Sequence, residues 1–293
     1  MNANDRLEMR RAPDGTYFAS TTKYALHTAL QPIFLVEEEK LVCVAYEALV
    51  RASDPTQMAS ETFFENLPRH ERHVVERVTR EIHLRNAAAY LGHGKGIFIN
   101  FNPALFNLPN IETSLIEDLQ ELATTAEVLA GNVVCEITEQ KVSAPKMLTG
   151  IVTAMRQAGF AIAVDDFGAD QSDLERVRIV DPDVVKFDGA WVQARMSSPE
   201  GRRHLTGQVT AFREDGRLVL LEGIEQNWQI EAAAEAGAQL LQGFGLARPQ
   251  VVPAQFPGSI GYKNKFKAVA KRTVETGEAK TIKWNIRPRS QSG

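Results

Sequence analysis

Short apolar runs that end on polar residues recur along the chain, and stretches with helical periodicity separate them. The sharpest run is Ala161-Ile162-Ala163-Val164, which leads into Asp165-Asp166-Phe167-Gly168. A strand covered on both faces needs no polar alternation, so this reads as a short buried strand with Gly168 as its stop. Residues 29–36 read as a strand around Gln31-Pro32-Ile33. Pro32 has no N–H for a ladder and is expected at a strand start or edge. Glu37-Glu38-Glu39-Lys40 is a turn, and residues 41–45 form a second strand that ends in Tyr46-Glu47-Ala48-Leu49-Val50-Arg51. So tight a connection excludes a helical crossover, so these two strands are expected to be antiparallel. Further strands are predicted at 96–102, 132–139, 183–188, 218–223 and 239–244. Helical pattern covers 60–90, broken at Leu67-Pro68, with Val74, Val75, Val78, Ile82 and Leu84 as an apolar face. Other helices are predicted at 111–129, 144–158, 172–180, 199–214 and 226–236, with Gly159 and Gly237 as stops. Residues 1–28 are polar and weakly patterned and read as an extension with a short helix. Arg248-Pro249 reads as the close of the unit.

Two strands followed by alternating strand and helix imply an α/β fold with a mostly parallel sheet. Roughly eight strands over about 230 residues fit a closed barrel. An open doubly wound sheet is the runner-up, but no Gly-rich phosphate loop follows any strand. The expected division is an N-terminal extension (1–24), a barrel domain (25–258) and a basic C-terminal tail (259–293).

The apolar fraction of 44% and charged fraction of 24% are those of a soluble globular protein. No apolar run is long enough to span a bilayer, and the N-terminus has no signal core. The expectation is a cytoplasmic protein without membrane insertion. Cys43 and Cys135 sit in apolar stretches and read as small buried hydrophobes. His70, His73, His83 and His93 are scattered among polar residues and read as surface or cap residues. The net charge of −4 hides an asymmetry: residues 262–293 carry nine Lys or Arg against two Glu, so the preceding part carries −11. An acidic body suits a cation site and argues against nucleic acid as its main partner. The tail is either solvated or a contact for nucleic acid, a membrane surface or an acidic partner.

The strands stop at residues able to bind metal or phosphate: Glu47, Asn100, Glu136, Asp165 with Asp166, Lys186, Glu222 and Gln242. In a barrel of parallel strands these ends meet at one mouth. Carboxylates and an amide oxygen, without His or Cys, select Mg²⁺ or Mn²⁺. Five acids exceed what one divalent ion neutralises, which points to two ions with Asp165 as the bridge. Two such ions are the usual device for in-line attack of water on a phosphodiester. Lys186 is placed to orient that water or offset phosphate charge, or else forms a structural salt bridge.

Gln31-Pro32-Ile33, Glu47-Ala48-Leu49-Val50-Arg51, Asn100, Glu136-Ile137-Thr138-Glu139, Asp165-Asp166-Phe167-Gly168, Val185-Lys186-Phe187-Asp188, Glu222-Gly223-Ile224-Glu225 and Gln242-Gly243-Phe244 resemble the EAL-domain cyclic di-GMP phosphodiesterases. The resemblance implies a modified TIM (β/α)8 barrel with one antiparallel strand. It implies hydrolysis of cyclic di-GMP to linear pGpG with Mg²⁺ or Mn²⁺, and a homodimer. By resemblance, Glu47, Asn100, Glu136 and Asp165 hold the first ion. Asp165, Asp166 and Glu222 serve the second, and Lys186 lies near the attacking water. The catalytic set is then Lys186, Glu222 and Glu47, with the base left open between Lys186 and Glu222. Gln31, Leu49, Arg51 and Gln242 resemble substrate-binding positions, and a guanidinium fork suits Arg51 to phosphate. Glu139 resembles the residue that anchors the loop after Gly168.

That loop departs from the family pattern. The family continues Thr-Gly-Tyr-Ser-Ser, whereas this chain has Ala169-Asp170-Gln171-Ser172-Asp173. No ligand is lost, but turnover and dimer coupling are put in question. The alternative reading is a weak or inactive cyclic di-GMP receptor that signals to a protein partner.

Overall fold

The computed structural model describes residues 7–38, 40–53, 63, 67–91, 94–102, 132–138, 145–169 and 173–261. Two short strands open it, β1 (Glu8–Arg11) and β2 (Tyr17–Ser20), and form an antiparallel hairpin. The short helix expected in this region is not found among its described residues. β2 instead extends the sheet by pairing Ala19 and Ser20 with Leu26 and Ala25.

Eight strands then close on themselves. They are β3 (Ala25–Val36), β4 (Lys40–Ser53), β5 (Gly96–Phe101), β6 (Val133–Ile137), β7 (Ala161–Phe167), β8 (Val184–Phe187), β9 (Leu218–Leu221) and β10 (Leu240–Leu241). From β4 to β10 each neighbour is parallel, and β3 is antiparallel to both β4 and β10. This is the modified TIM barrel with one antiparallel strand. Arg248-Pro249 does not close the chain's contribution: β11 (Gln250–Val251) pairs with β3, and β12 (Ser259–Gly261) with β4. Pro32 lies inside β3, not at its start or edge. β10 pairs opposite residues 34 and 35 and β11 opposite 29 and 30, so Pro32 falls in the interval between these ladders. The missing N–H is tolerated there.

The described helices are α1 (Arg69–Tyr90), α2 (Pro145–Gln157), α3 (Asp173–Val180), α4 (Gly189–Met196), α5 (Pro199–Glu214) and α6 (Asn227–Ala236). α4 was not expected. It is only eight residues long, and a local cap sets it: the Trp191 backbone N donates to Asp188 Oδ1 at 2.7 Å. α5 starts as its sequence suggests, with Pro199 in its first turn and Ser198 accepting from the Gly201 N–H. The predicted helix at 111–129 lies outside the described residues. No described helix is long and apolar enough to cross a membrane. Cys43 and Cys135 are free and buried.

The core has two layers because strand side chains alternate. Ile162, Val164, Val185, Val219 and Leu221 face the helices. A separate cluster fills the lumen with Ile33, Ala45, Phe98, Val134, Ala163, Val184, Leu220 and Leu240, one from each barrel strand.

His83 is buried, contrary to the surface or cap reading. Its Nδ1 lies 2.8 Å from Thr28 Oγ1, which also accepts from Asn86 Nδ2 at 2.9 Å. Asn86 in turn pairs with the backbone N and O of Tyr17. The network ties α1 to β3 and to the N-terminal hairpin. Burial, and secondarily Arg80, push the His83 pKa down to about 3. Below the unfolded value near 6.5 the unfolded chain therefore binds a proton that the folded chain refuses. The His83 contribution is complete above that value and falls as pH drops toward 3, by about 1.4 kcal/mol per pH unit. Urea midpoints between pH 7 and pH 4.5 should fall more steeply in the wild type than in His83→Asn; equal slopes would refute the assignment.

Candidate active site

One register step builds the barrel mouth. On each parallel strand, the position two residues beyond the lumen core faces inward again, and there it is polar. Glu47 follows Ala45, Asn100 follows Phe98, Glu136 follows Val134 and Asp165 follows Ala163. Lys186 follows Val184, Glu222 follows Leu220 and Gln242 follows Leu240. β3 runs the other way, so Gln31 precedes Ile33 and lies in register with Glu47. Asn100 and Glu136 are likewise register partners.

Lys186 stands at the centre and is 1% exposed. Its Nζ lies 2.7 Å from Glu136 Oε1, 2.9 Å from Asp165 Oδ1, 2.9 Å from Glu222 Oε1 and 3.7 Å from Glu47 Oε1. Acids far apart in sequence thus surround a common cation position. One ammonium does not balance four carboxylates. Burial works against the Lys186 charge, but the four acids outweigh it and hold its pKa well above the usual lysine value. Burial pushes the Glu136 carboxyl well up, Lys186 opposes this, and Glu47 and Asp165 add repulsion. Burial also lifts Glu222 to about 8, again against Lys186 and with Asp165 and Glu47 repelling. Glu136 Oε2 is buried without a hydrogen-bond partner among the described residues. Such a site is short of positive charge.

Adjacent strand residues point to opposite faces, so Asp165 and Asp166 share the mouth only through a kink. The backbone of Asp166 is left-handed, with φ of +54°, and the β7–β8 register shifts between Val164 and Phe167. Asp165, Asp166 and Glu222 can then each present an oxygen within 4.8 Å of the others. Hard donors at this spacing fit a divalent cation such as Mg²⁺ or Mn²⁺.

The other expected residues are placed as follows. Gln242 Nε2 donates to Glu47 Oε2 at 2.8 Å. Gln31 Nε2 donates to the Ala247 carbonyl at 3.4 Å. Asn100 is exposed at the rim beside Glu136. Leu49 and Arg51 continue the inward face of β4 beyond Glu47, and Arg51 Nη1 donates to the Val50 carbonyl at 2.8 Å. Glu139 lies outside the described residues. A cavity of about 250 Å³ opens here between Gln31, Glu47, Glu222, Glu225, Gln242 and Phe244. Three features escaped the sequence reading. Arg176 on α3 donates to the Asp165 carbonyl, and nothing in a lone helix arginine announces that. Phe244 is half exposed on the rim with the Arg248 guanidinium 4.6 Å from its ring centre; its place between Gly243 and Gly245 was the available signal. The third is a close backbone approach: a Cβ on Gly243 would come 2.1 Å from the Ile224 carbonyl oxygen, so only glycine fits.

The sequence matches the EAL domain family over residues 19–249, a span that contains all eight barrel strands. YkuI of Bacillus subtilis, an uncharacterized EAL-domain containing protein, is 30% identical over 223 residues, covering 75% of this chain and 54% of YkuI. RocR of Pseudomonas aeruginosa, a cyclic di-GMP phosphodiesterase, is 28% identical over 166 residues, covering 56% of this chain and 41% of RocR. The crystal structure of YkuI in complex with substrate c-di-GMP and calcium superimposes with a TM-score of 0.67 at 27% identity, covering 79% of this chain and 57% of that one. The chain spans about half the length of the curated relatives it matches. A closed barrel with one reversed strand, an acid-lined mouth that begins at Glu47-Ala48-Leu49, and a match across the whole barrel lead to one conclusion: the chain belongs to the EAL domain family.

Proposed function

We propose that this barrel hydrolyses cyclic di-GMP to linear pGpG with two divalent cations, Mg²⁺ or Mn²⁺, at its mouth. The observation that carries the reading is the convergence of Glu47, Glu136, Asp165 and Glu222 on the Lys186 ammonium, with Asp166 turned in beside them. Glu47, Asn100, Glu136 and Asp165 would hold one ion, and Asp165, Asp166 and Glu222 the other. Bound there, the ions would supply Lewis-acid chemistry, lowering the pKa of a water and offsetting charge on the phosphoryl oxygens. Gln242 holds the Glu47 carboxylate in one rotamer through its hydrogen bond. Lys186, within 2.9 Å of Glu136, Asp165 and Glu222, would orient the attacking water by donating to it, with Glu222 beside it as the proton acceptor. Arg51 reaches a phosphate, and Gln31, Leu49 and Gln242 line the substrate. The Glu136-Ile137-Thr138-Glu139 motif assigns Glu139 the loop-anchoring role by resemblance alone. A homodimer is the expected assembly, and the basic tail the expected contact for an acidic partner.

Purified protein incubated with cyclic di-GMP and Mn²⁺ should release pGpG, resolved by chromatography. Chelation should stop the reaction and fresh Mn²⁺ restore it. No pGpG above a Glu47→Ala control would overturn the reading, and tight nucleotide binding without turnover would identify a receptor in its place.

A further inference from the structure

We infer that Trp191 is a positioning residue for the cation site, acting through Gly168 to hold the turn that presents Asp165 and Asp166. The inference rests on the proposed reading of the mouth as a cation site. Asp166 owes its approach to Asp165 and Glu222 to a left-handed backbone, and Gly168 follows with φ of +106°. A non-glycine residue holds such a conformation only where its surroundings enforce it. Here an indole covers the turn. A Cβ on Gly168 would lie 2.6 Å from Trp191 Cγ and 2.8 Å from Cδ1 and Cδ2, so the ring occupies the space a side chain would take.

The indole is itself fixed. Its ring centre lies 5.5 Å from that of Phe187 and 5.8 Å from that of His204, and the Arg195 guanidinium sits 5.1 Å over it. Its backbone N donates to Asp188 Oδ1, and Asp188 N donates to the Phe167 carbonyl at 3.0 Å. Trp191 thus couples the end of β8, which carries Lys186, to the end of β7, which carries both aspartates. Groups that orient metal ligands without touching the metal govern affinity about as strongly as some ligands do.

Trp191→Ala is expected to weaken Mn²⁺ binding about tenfold or more, measured by calorimetry without nucleotide. Amide exchange across residues 165–169 should be faster in the metal-free variant, and Trp191→Phe should recover both properties. Trp191→Leu keeps apolar volume without the planar face and is measured alongside, so that a folding failure of the alanine variant decides nothing by itself. A second readout uses the three tryptophans. With Trp228 and Trp284 replaced by Phe, only Trp191 remains, and Mn²⁺ alone should quench its fluorescence. A purely structural role would lower the melting temperature and leave Mn²⁺ half-saturation unchanged. If the leucine variant binds Mn²⁺ and exchanges like a wild type that hydrolyses cyclic di-GMP, the inference alone falls. If the wild type binds no Mn²⁺, both the inference and the proposed function fall.

Discussion

Lys186→Met is expected to abolish pGpG release and to destabilise the metal-free protein by about 3–5 kcal/mol, the usual cost of removing one partner from a buried ion pair. Four carboxylates would be left without the ammonium that now lies within 3.7 Å of each. The loss is large because Lys186 and Glu136 are out of water, so solvent screens little of their interaction. Methionine keeps most of the apolar stem, so lost packing is a small part of the effect. Mn²⁺ should return stability to the variant, since a ligand at 100 times its dissociation constant adds about 2.7 kcal/mol. Urea denaturation with and without Mn²⁺ checks this. A variant as stable as the wild type without metal would mean the acids do not need the ammonium.

Gly243→Ala is expected to cost more than about 3 kcal/mol, at the upper end of single substitutions. The added Cβ would lie 2.1 Å from the Ile224 carbonyl oxygen and 2.3 Å from its nitrogen. Both are backbone atoms, so no rotamer change relieves the clash, and the turns after β9 and β10 must separate. That movement breaks the Ile224 N to Gln242 O and Gly245 N to Ile224 O hydrogen bonds. It also carries Gln242 away from Glu47, so cyclic di-GMP affinity should fall with stability. Gly207→Ala is the matched control: it lies inside α5 with nothing within 4 Å of its would-be Cβ. There the change should stabilise by up to about 1 kcal/mol through helix propensity. Equal effects at the two glycines would remove the argument from backbone contact.

Where the chain pattern is local, it could be read directly. The alternation of apolar runs and helical stretches located β5 through β9 and the helices α2, α3, α5 and α6. The tight turn after residue 36 announced the reversed strand. The misreadings share a cause. β1 and β2 are four-residue strands that exist because β3 offers β2 an edge and β2 then offers one to β1, and nothing in Glu8-Met9-Arg10-Arg11 shows this in isolation. α4 is a capped helix of only about two turns. His83 looked exposed because burial of a helix residue depends on what packs against α1, and that partner, Thr28, is 55 residues away.

By itself, the sequence determined that polar, metal-competent side chains stand at successive strand ends, since a strand's two-residue period is a local property. It also determined that those ends would share a mouth, because parallel strands joined by helices all point one way. Only the tertiary structure decided that Lys186 lies among four carboxylates, and that the kink at Asp166 turns a second aspartate into the same space. Charges become neighbours through barrel closure and strand register, and these depend on packing between residues far apart along the chain.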